Sequence, residues 1–105
     1  MDNRNERAAE MVGHAAAEFL SREAGPQSLI TVTHASLSSD FAYATVFITV
    51  LPEEKEMAAL DLAHRHVGDF KEFLSTRVKL PKTPHVDFQI DRGQKNFERL
   101  QNINN

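Results

Sequence analysis

Apolar side chains recur every three to four residues over the first part of the chain, as they do along one face of a helix. Asn3 and Glu6 have the spacing of a capping box, and Gly25-Pro26 prevents the helix from continuing. The pattern therefore predicts a first helix over Asn3–Glu23. Its apolar face consists of Ala8, Met11, Val12, Ala15, Ala16, Phe19 and Leu20.

After Pro26 the apolar residues alternate with polar ones, which is typical of strands. Leu29–Thr33 is alternating and β-branched, Ser36–Asp40 has the composition of a turn, and Ala42–Leu51 is an apolar run. We therefore predict an antiparallel hairpin. Side chains alternate across a strand, so the second strand has a core side and an opposite side. The core side is Ala44, Val46, Ile48 and Val50, and the opposite side is Tyr43, Thr45, Phe47 and Thr49.

A second helical stripe follows Pro52, a residue suited to the first helical position, and three glutamates suit the positive end of the helix dipole. The stripe continues through Gly68, although a glycine inside a helix lowers helix stability by about 1 kcal/mol relative to alanine. We predict a kink at Gly68 that divides a helix pair, which Pro81 and Pro84 terminate. The stripe consists of Met57, Leu60, Ala63, Val67, Phe70, Leu74 and Val78.

Strict alternation returns in His85–Asp91 and predicts a third strand with Val86, Phe88 and Ile90 facing inward. The order α-β-β-α-kink-α-β predicts one α+β domain over residues 1–105, with its core at about residues 3–92. In this domain the helices cover one face of a three-stranded mixed sheet, and the other face stays open.

The last residues have few apolar positions. Between Gln94 and Ile103 only Phe97, Leu100 and Ile103 are apolar, which is enough for a short helix that frays or for a tail over residues 93–105.

The composition agrees with one soluble domain. The 105 residues are 41% hydrophobic and 26% charged, which excludes general disorder and leaves no room for a second domain. The absence of cysteine excludes disulfides, thiolate metal sites and a cysteine nucleophile. The apolar run Val46–Leu51 is far shorter than the roughly 20 residues of a membrane span. We expect a cytoplasmic protein without a membrane segment.

Charge is distributed unevenly around a net value of −3. Residues 1–60 carry four basic and nine acidic side chains, whereas residues 61–105 carry eight basic and six acidic ones. The segment Thr76–Val86 has no acidic residue but includes Arg77, Lys79 and Lys82. This segment is therefore the best candidate for a polyanion-binding face, and a solvated loop is the alternative.

Residues with catalytic or cofactor-binding potential are scarce. The four glycines are scattered singly, so no phosphate-binding loop can form. His64 and His66 lie two residues apart on a helix and point in nearly opposite directions, which does not suit a metal site. We expect no metal, no cofactor, no small-molecule substrate and no catalysis.

Phe41, Tyr43 and Phe47 are similar to the aromatic strand on which RNA-recognition motifs stack bases. The basic-glycine opening of that motif is missing, and the order of elements differs from βαββαβ. Base stacking on these rings and packing at the edge of the sheet remain two open alternatives.

Several short motifs follow one another in the order of the predicted elements. They are Thr31-Val32-Thr33, the turn Ser38-Ser39-Asp40, Ala44-x-Val46-Phe47, the helix pair around Gly68, and Pro84-x-Val86-x-Phe88-x-x-Asp91. This combination, which covers nearly the whole chain, resembles the ribosome-binding factor A family. The resemblance implies a KH-like domain of the second type, with a helix–kink–helix unit in place of the Gly-x-x-Gly loop of RNA-binding KH domains.

The chain departs from the family pattern at three places. His66 stands where the family usually has alanine, two residues before the glycine of the kink. Gly25-Pro26-Gln27 replaces an Asp-Pro-Arg-like segment. Pro81 followed by Lys82 stands where an arginine usually precedes Pro84, so the implied phosphate contact passes to Lys82.

The resemblance implies a non-enzymatic assembly factor that binds the small (30S) ribosomal subunit and its 16S rRNA during late maturation. It further implies promotion of rRNA 5′-end processing and a role in growth at low temperature. We expect a monomer that contacts rRNA through the basic surface of the helix pair and the loop that follows it. The predicted RNA-binding residues are Arg65, Lys71, Arg77, Lys79 and Lys82, with Arg4 and Arg7 as weaker candidates.

Two other classes of function remain open. A protein-interaction module would use the open sheet face, and its binding would be insensitive to salt because apolar contacts are not screened by ions. A small enzyme would require a pocket with convergent polar groups.

Overall fold

The computed structural model describes residues 3–24 and 29–93. The elements, in chain order, are α1 (Asn3–Glu23), β1 (Leu29–Leu37), β2 (Tyr43–Leu51), a 3₁₀ turn (Glu53–Lys55), α2 (Glu56–Arg65), α3 (Val67–Arg77) and β3 (His85–Ile90). The predicted α+β order is confirmed. The side chain of Asn3, the Gly25-Pro26 stop signal and the predicted terminal helix lie outside the described residues.

The sheet has the order β1-β2-β3 and is mixed, because β1 pairs antiparallel and β3 parallel with β2. The predicted turn beginning at Ser36 is wrong: Ser36 and Leu37 continue β1 opposite Thr45 and Ala44. The strand extends because Leu37 is buried under the helices, and a turn there would expose it. The connection therefore lies within residues 38–42.

A β-bulge interrupts the register of β1 between Val32 and His34. A bulge inserts one residue and re-aims the side chains around it. As a result Thr33 and His34 are both exposed, although they are neighbours in sequence. Both side chains contact residues on the open side of the sheet.

The core lies between the helices and one face of the sheet. The predicted core side of β2 is confirmed, because its four side chains are at most 3% exposed. The centroid of the Phe70 ring lies 5.4 Å from that of Phe19 and 5.7 Å from that of Phe88, which joins α3 to α1 and β3. Fully burying one such side chain contributes roughly 1.5–3 kcal/mol. These ring contacts fix the position of α3 against α1 and the sheet.

The break between α2 and α3 lies at His66, so the predicted position at Gly68 is wrong by two residues. His66 has φ −104° and ψ 15°, and its N–H donates to the carbonyls of both Leu62 and Ala63 at 3.2 Å. Its own carbonyl accepts from Phe70 N–H at 2.9 Å, which begins α3. Gly68 is the second residue of α3, and a Cβ built there meets nothing within 4 Å. The bend therefore does not depend on the small size of this glycine.

The β1–β2 turn holds Phe41 in the left-handed region, with φ 63°. Its N–H donates to the carbonyl of Ser38 at 2.9 Å, and its ring packs half-buried against the core. Phe41 is therefore separated from Tyr43 and Phe47, with which the sequence had grouped it. The burial of a large apolar ring offsets a backbone conformation that costs about 1–3 kcal/mol.

Helical structure after β2 begins with a single 3₁₀ turn, which Pro52 precedes, and the α-helix starts at Glu56. None of the helices in residues 3–24 and 29–93 is long and apolar enough to cross a membrane.

Candidate nucleic-acid interface

The segment that leaves α3 carries Arg77, Lys79 and Lys82. Val78 and Pro84 are buried and anchor the two ends of the segment to the core. Lys79 and Lys82 between them are exposed. Because Val78 and Pro84 fix the two ends of the segment, the ammonium groups of Lys79 and Lys82 are held at the protein surface between them.

Arg77 does not stand alone, because α1 places a second arginine beside it. Nη2 of Arg77 lies 3.1 Å from Oε2 of Glu18, and Nη2 of Arg22 lies 2.8 Å from the same oxygen. Both guanidinium groups also lie over the ring of Phe73, at 4.6 Å and 5.5 Å from its centroid. One carboxylate thus holds two arginines at the α1–α3 contact, which leaves one net positive charge.

Arg22 is not among the RNA-binding residues predicted from the sequence. The i,i+4 spacing of Glu18 and Arg22 is a visible helical pairing signal. It does not reveal that Arg77, which lies 55 positions later than Arg22, shares the carboxylate.

Lys82 faces the β1–β2 turn. The pKa of Asp40 is lowered, first by the hydrogen bond from the hydroxyl of Ser38, next by the N–H of Ala42, and further by the charge of Lys82. The turn thus keeps a carboxylate close to Lys82.

Arg4 and Arg7 lie at the start of α1, and both are exposed. The amide of Asn5 donates to the carbonyl of Ser38 at 2.8 Å, which fixes this helix end beside the β1–β2 turn. Arg4, Arg7 and Lys82 are therefore brought to the same end of the sheet.

Arg65 lies at the end of α2, next to the helix break. Its Nε lies 3.4 Å from Oδ2 of Asp61, and both side chains are exposed. The adjacent His66 imidazole lies 3.2 Å from Oδ2 of Asp69 and 3.5 Å from Oε1 of Glu23. Three carboxylates therefore lie close to this place and reduce its positive charge. Lys71 lies one turn further along α3 and is half-buried.

The fold distributes the predicted residues over three places. Arg77 lies at the α1–α3 contact, and Lys82 lies with Arg4 and Arg7 at the turn end of the sheet. Arg65 lies at the helix break, with Lys71 one turn further along α3. Lys79 connects the first two places along the chain. The RNA-binding role of these residues stays a prediction.

The open face of the sheet carries a polar network centred on Asp91. The hydroxyl of Thr33 donates to Oδ2 of Asp91 at 2.6 Å, and Nδ1 of His34 lies 3.2 Å from the same hydroxyl. The His34 ring stacks on Phe47 with centroids 4.4 Å apart. A catalytic triad requires the two nitrogens of the histidine to face different partners. Here Nδ1 alone faces both Thr33 and Asp91, so the geometry does not match a triad.

A second ring pair lies on this face, with Tyr43 and His85 centroids 5.5 Å apart and Tyr43 63% exposed. Across the described residues, no group of three histidine or carboxylate side chains is placed to hold a metal ion. This face therefore offers ring surfaces and hydrogen-bonding groups to a partner.

The comparisons with known proteins identify the family. The family model of ribosome-binding factor A matches residues 4–104. The chain belongs to this family. Ribosome-binding factor A of Thioalkalivibrio sulfidiphilus is 31% identical, over 93% of this chain and 78% of the relative. The homologue from Azoarcus sp. is 30% identical, over 96% of this chain and 82% of the relative.

Solved structures of the family share the fold. The crystal structure of ribosome-binding factor A from Thermus thermophilus gives a TM-score of 0.76 over 85% of this chain and 98% of that one, at 24% identity. A homology model of the Thermus thermophilus factor, fitted into a cryo-electron-microscopy map of its complex with the 30S subunit, gives a TM-score of 0.64 at 27% identity. It covers 73% of this chain and 84% of that one. The α+β fold described above is thus the fold of this family, and it is consistent with a KH-like domain.

Proposed function

We propose that this chain is a ribosome assembly factor that binds the small (30S) subunit and contacts its 16S rRNA. The observation that carries the proposal is the family match, which extends over residues 4–104. The related Thermus thermophilus factor, which was fitted into a map of its 30S complex, supports the choice of partner.

The RNA contact is assigned to the side of the molecule that runs from Arg22 and Arg77 through Lys79 to Lys82. Guanidinium groups bind phosphate with paired hydrogen bonds, and Glu18 and Phe73 hold the two arginines in place before binding. Preorganisation lowers the entropy that each side chain loses on binding. Lys79 and Lys82, which are both exposed, add charge along the same segment.

Such a factor acts without chemistry of its own. A protein that binds one conformation of the rRNA more tightly than another shifts the population toward the bound form. We infer that this shift favours the precursor from which the 5′ end of 16S rRNA is processed. We further infer that the protein acts as a monomer in the cytoplasm and supports assembly at low temperature.

The proposal is tested by sedimentation of the purified protein with isolated 30S subunits, 50S subunits and free RNA at several salt concentrations. Each phosphate contact with single-stranded RNA contributes about 0.7 to the slope of log K against log salt. Replacing Arg77, Lys79 and Lys82 together by alanine should therefore reduce that slope by about 2. The control is Lys55→Ala, which removes an exposed cation from the 3₁₀ turn and should leave the slope unchanged.

Unchanged affinity and slope in the triple variant would move the RNA contact away from this segment. Binding that is strong but insensitive to salt would instead favour the alternative function, a protein-interaction module that uses the ring pairs of the open sheet face.

A further inference from the structure

The two edges of the sheet differ in how they are covered. At the β3 edge, Nε2 of His64 on α2 lies 3.1 Å from the carbonyl oxygen of Phe88 and 3.3 Å from Oδ1 of Asp87. A side chain that occupies an edge carbonyl opposes the addition of another strand. The β3 edge is therefore partly blocked.

The β1 edge presents free backbone groups. The N–H of Ser38 donates to the carbonyl of Tyr43 on β2. Residues two apart in an antiparallel strand direct their backbone N–H and C=O groups to the same side. Ser36 and His34 thus face β2, whereas Ala35 and Leu37 direct their N–H and C=O groups away from it. In the part of the chain that the structure describes, no strand pairs with that side.

A groove of about 730 Å³ lies between this edge and α1. Residues Val32–Leu37 form one wall, and small side chains of α1 leave room along the other. A Cβ built on Gly13 lies 3.8 Å from the nitrogen of Ala35, so the helix runs close beside the strand. The groove therefore has the edge strand β1 along one side and α1 along the other.

The lining of α1 has a definite charge pattern. Glu6 and Glu10 are exposed, lie one helical turn apart and both line the groove. Arg7 and His14 line it as well. The glutamate pair attracts a cationic side chain and repels phosphate, so a peptide suits this groove better than RNA does.

We propose that this groove binds an extended, basic segment of a partner protein, which adds to β1 as a fourth strand. Strand addition gives affinity through backbone hydrogen bonds to Ala35 and Leu37, and specificity through alternate side chains. The bulge at Thr33 confines regular pairing to the part of β1 that follows it. This contact goes beyond the RNA contact proposed above, which runs from Arg22 and Arg77 through Lys79 to Lys82, and it shares with the predicted RNA-binding residues only the weaker candidate Arg7.

The test titrates the ¹⁵N-labelled full chain with the synthetic peptide Ac-Lys-Thr-Val-Thr-Val-Lys-NH₂. Amide shift changes should be confined to residues 30–37 of β1 and residues 6–17 of α1. The same peptide with alternate backbone nitrogens methylated cannot donate along its pairing edge, and it should bind at least tenfold more weakly. Equal binding of the two peptides, or no shift change in β1 at millimolar peptide, would refute strand addition.

The charge pattern is tested by Glu10→Lys, with Glu72→Lys on the exposed face of α3 as the matched control. Losing one attraction and gaining one repulsion at an exposed site should weaken peptide binding by roughly fivefold. The control should bind as the wild type does. Shift changes in β1 on adding an oligoribonucleotide instead of the peptide, or dimerisation of the chain through this edge, would overturn the choice of occupant.

Discussion

The two faces of the same sheet are held in different ways. On the helix-covered face, Val46 and Ile48 are completely buried, and their contribution comes from the apolar area removed from water. On the open face, Thr33 and Phe47 are held by directional contacts with Asp91 and His34. Burial tolerates small shifts of neighbouring groups, whereas a hydrogen bond of 2.6 Å requires a defined position. The covered face therefore stabilises the fold, and the open face holds its side chains in defined positions.

The bulge connects the two faces. It allows Val32 to face the helices while Thr33 and His34 both face outward, where they meet the end of β3. Asp91 is held from two sides, because its N–H also donates to the carbonyl of Ile48 at 2.7 Å. The network on the open face thus closes the sheet at the point where β3 ends.

The largest expected effect separates the two faces directly. Ile48→Ala should lower the free energy of unfolding by about 2–5 kcal/mol, because it leaves a cavity under the helices. Its neighbour Thr49 is exposed on the other face, and Thr49→Ala should change stability by no more than about 0.5 kcal/mol. Urea unfolding of both variants measures the difference. Similar losses in the two variants would contradict the assignment of the covered face.

A smaller effect is expected from the open-face network. Asp91→Ala should lower the free energy of unfolding by about 1.5–3 kcal/mol, because it removes a hydrogen bond to a charged group. Thr33→Val removes the same bond from the other side, so the double variant should lose less than the sum. Thr49→Ala serves as the uncoupled partner in the control cycle. Additive losses for Thr33 and Asp91 would show that their contact contributes nothing to stability.

The helix layer over the covered face allows a stabilising change. Gly68 is helical, and there is open space where a Cβ would lie. Gly68→Ala should therefore raise the free energy of unfolding by about 0.4–1 kcal/mol, because alanine lowers the conformational entropy of the unfolded chain. Thermal unfolding gives the sign. A loss of stability would restore Gly68 as a residue on which the bend depends.

The smallest effect concerns the turn that joins β1 and β2. The folded pKa of Asp40 is lowered by the hydrogen bonds from Ser38 and Ala42 and by Lys82. A lowered folded pKa contributes stability above the unfolded value, near pH 4, and this contribution is lost as the pH falls through the folded pKa. The wild type should therefore exceed Asp40→Asn in stability at neutral pH, and the gap should close in acid. Urea unfolding between pH 2 and pH 7 measures the gap, and a constant gap would contradict the role of ionisation.

Local pattern was sufficient for most of the fold. The three- and four-residue repeat predicted α1, and the alternating direction of side chains along a strand predicted which four side chains of β2 enter the core. These predictions succeed because the period of an element and its buried face are both properties of neighbouring residues. The family, too, was recognisable from short motifs, and the match over residues 4–104 confirms it.

Long-range packing set the remaining features. The helix break lies at His66, whose imidazole reaches Glu23 on α1 and Asp69 on α3, whereas the local cost of glycine pointed to Gly68. The ring of Phe41 packs against the core and does not lie on the open face. Arg22 joins Arg77 through Glu18, across a helix contact that spacing along the chain does not encode. In each case the partner lies on another element, so the position became visible only when the elements were packed together.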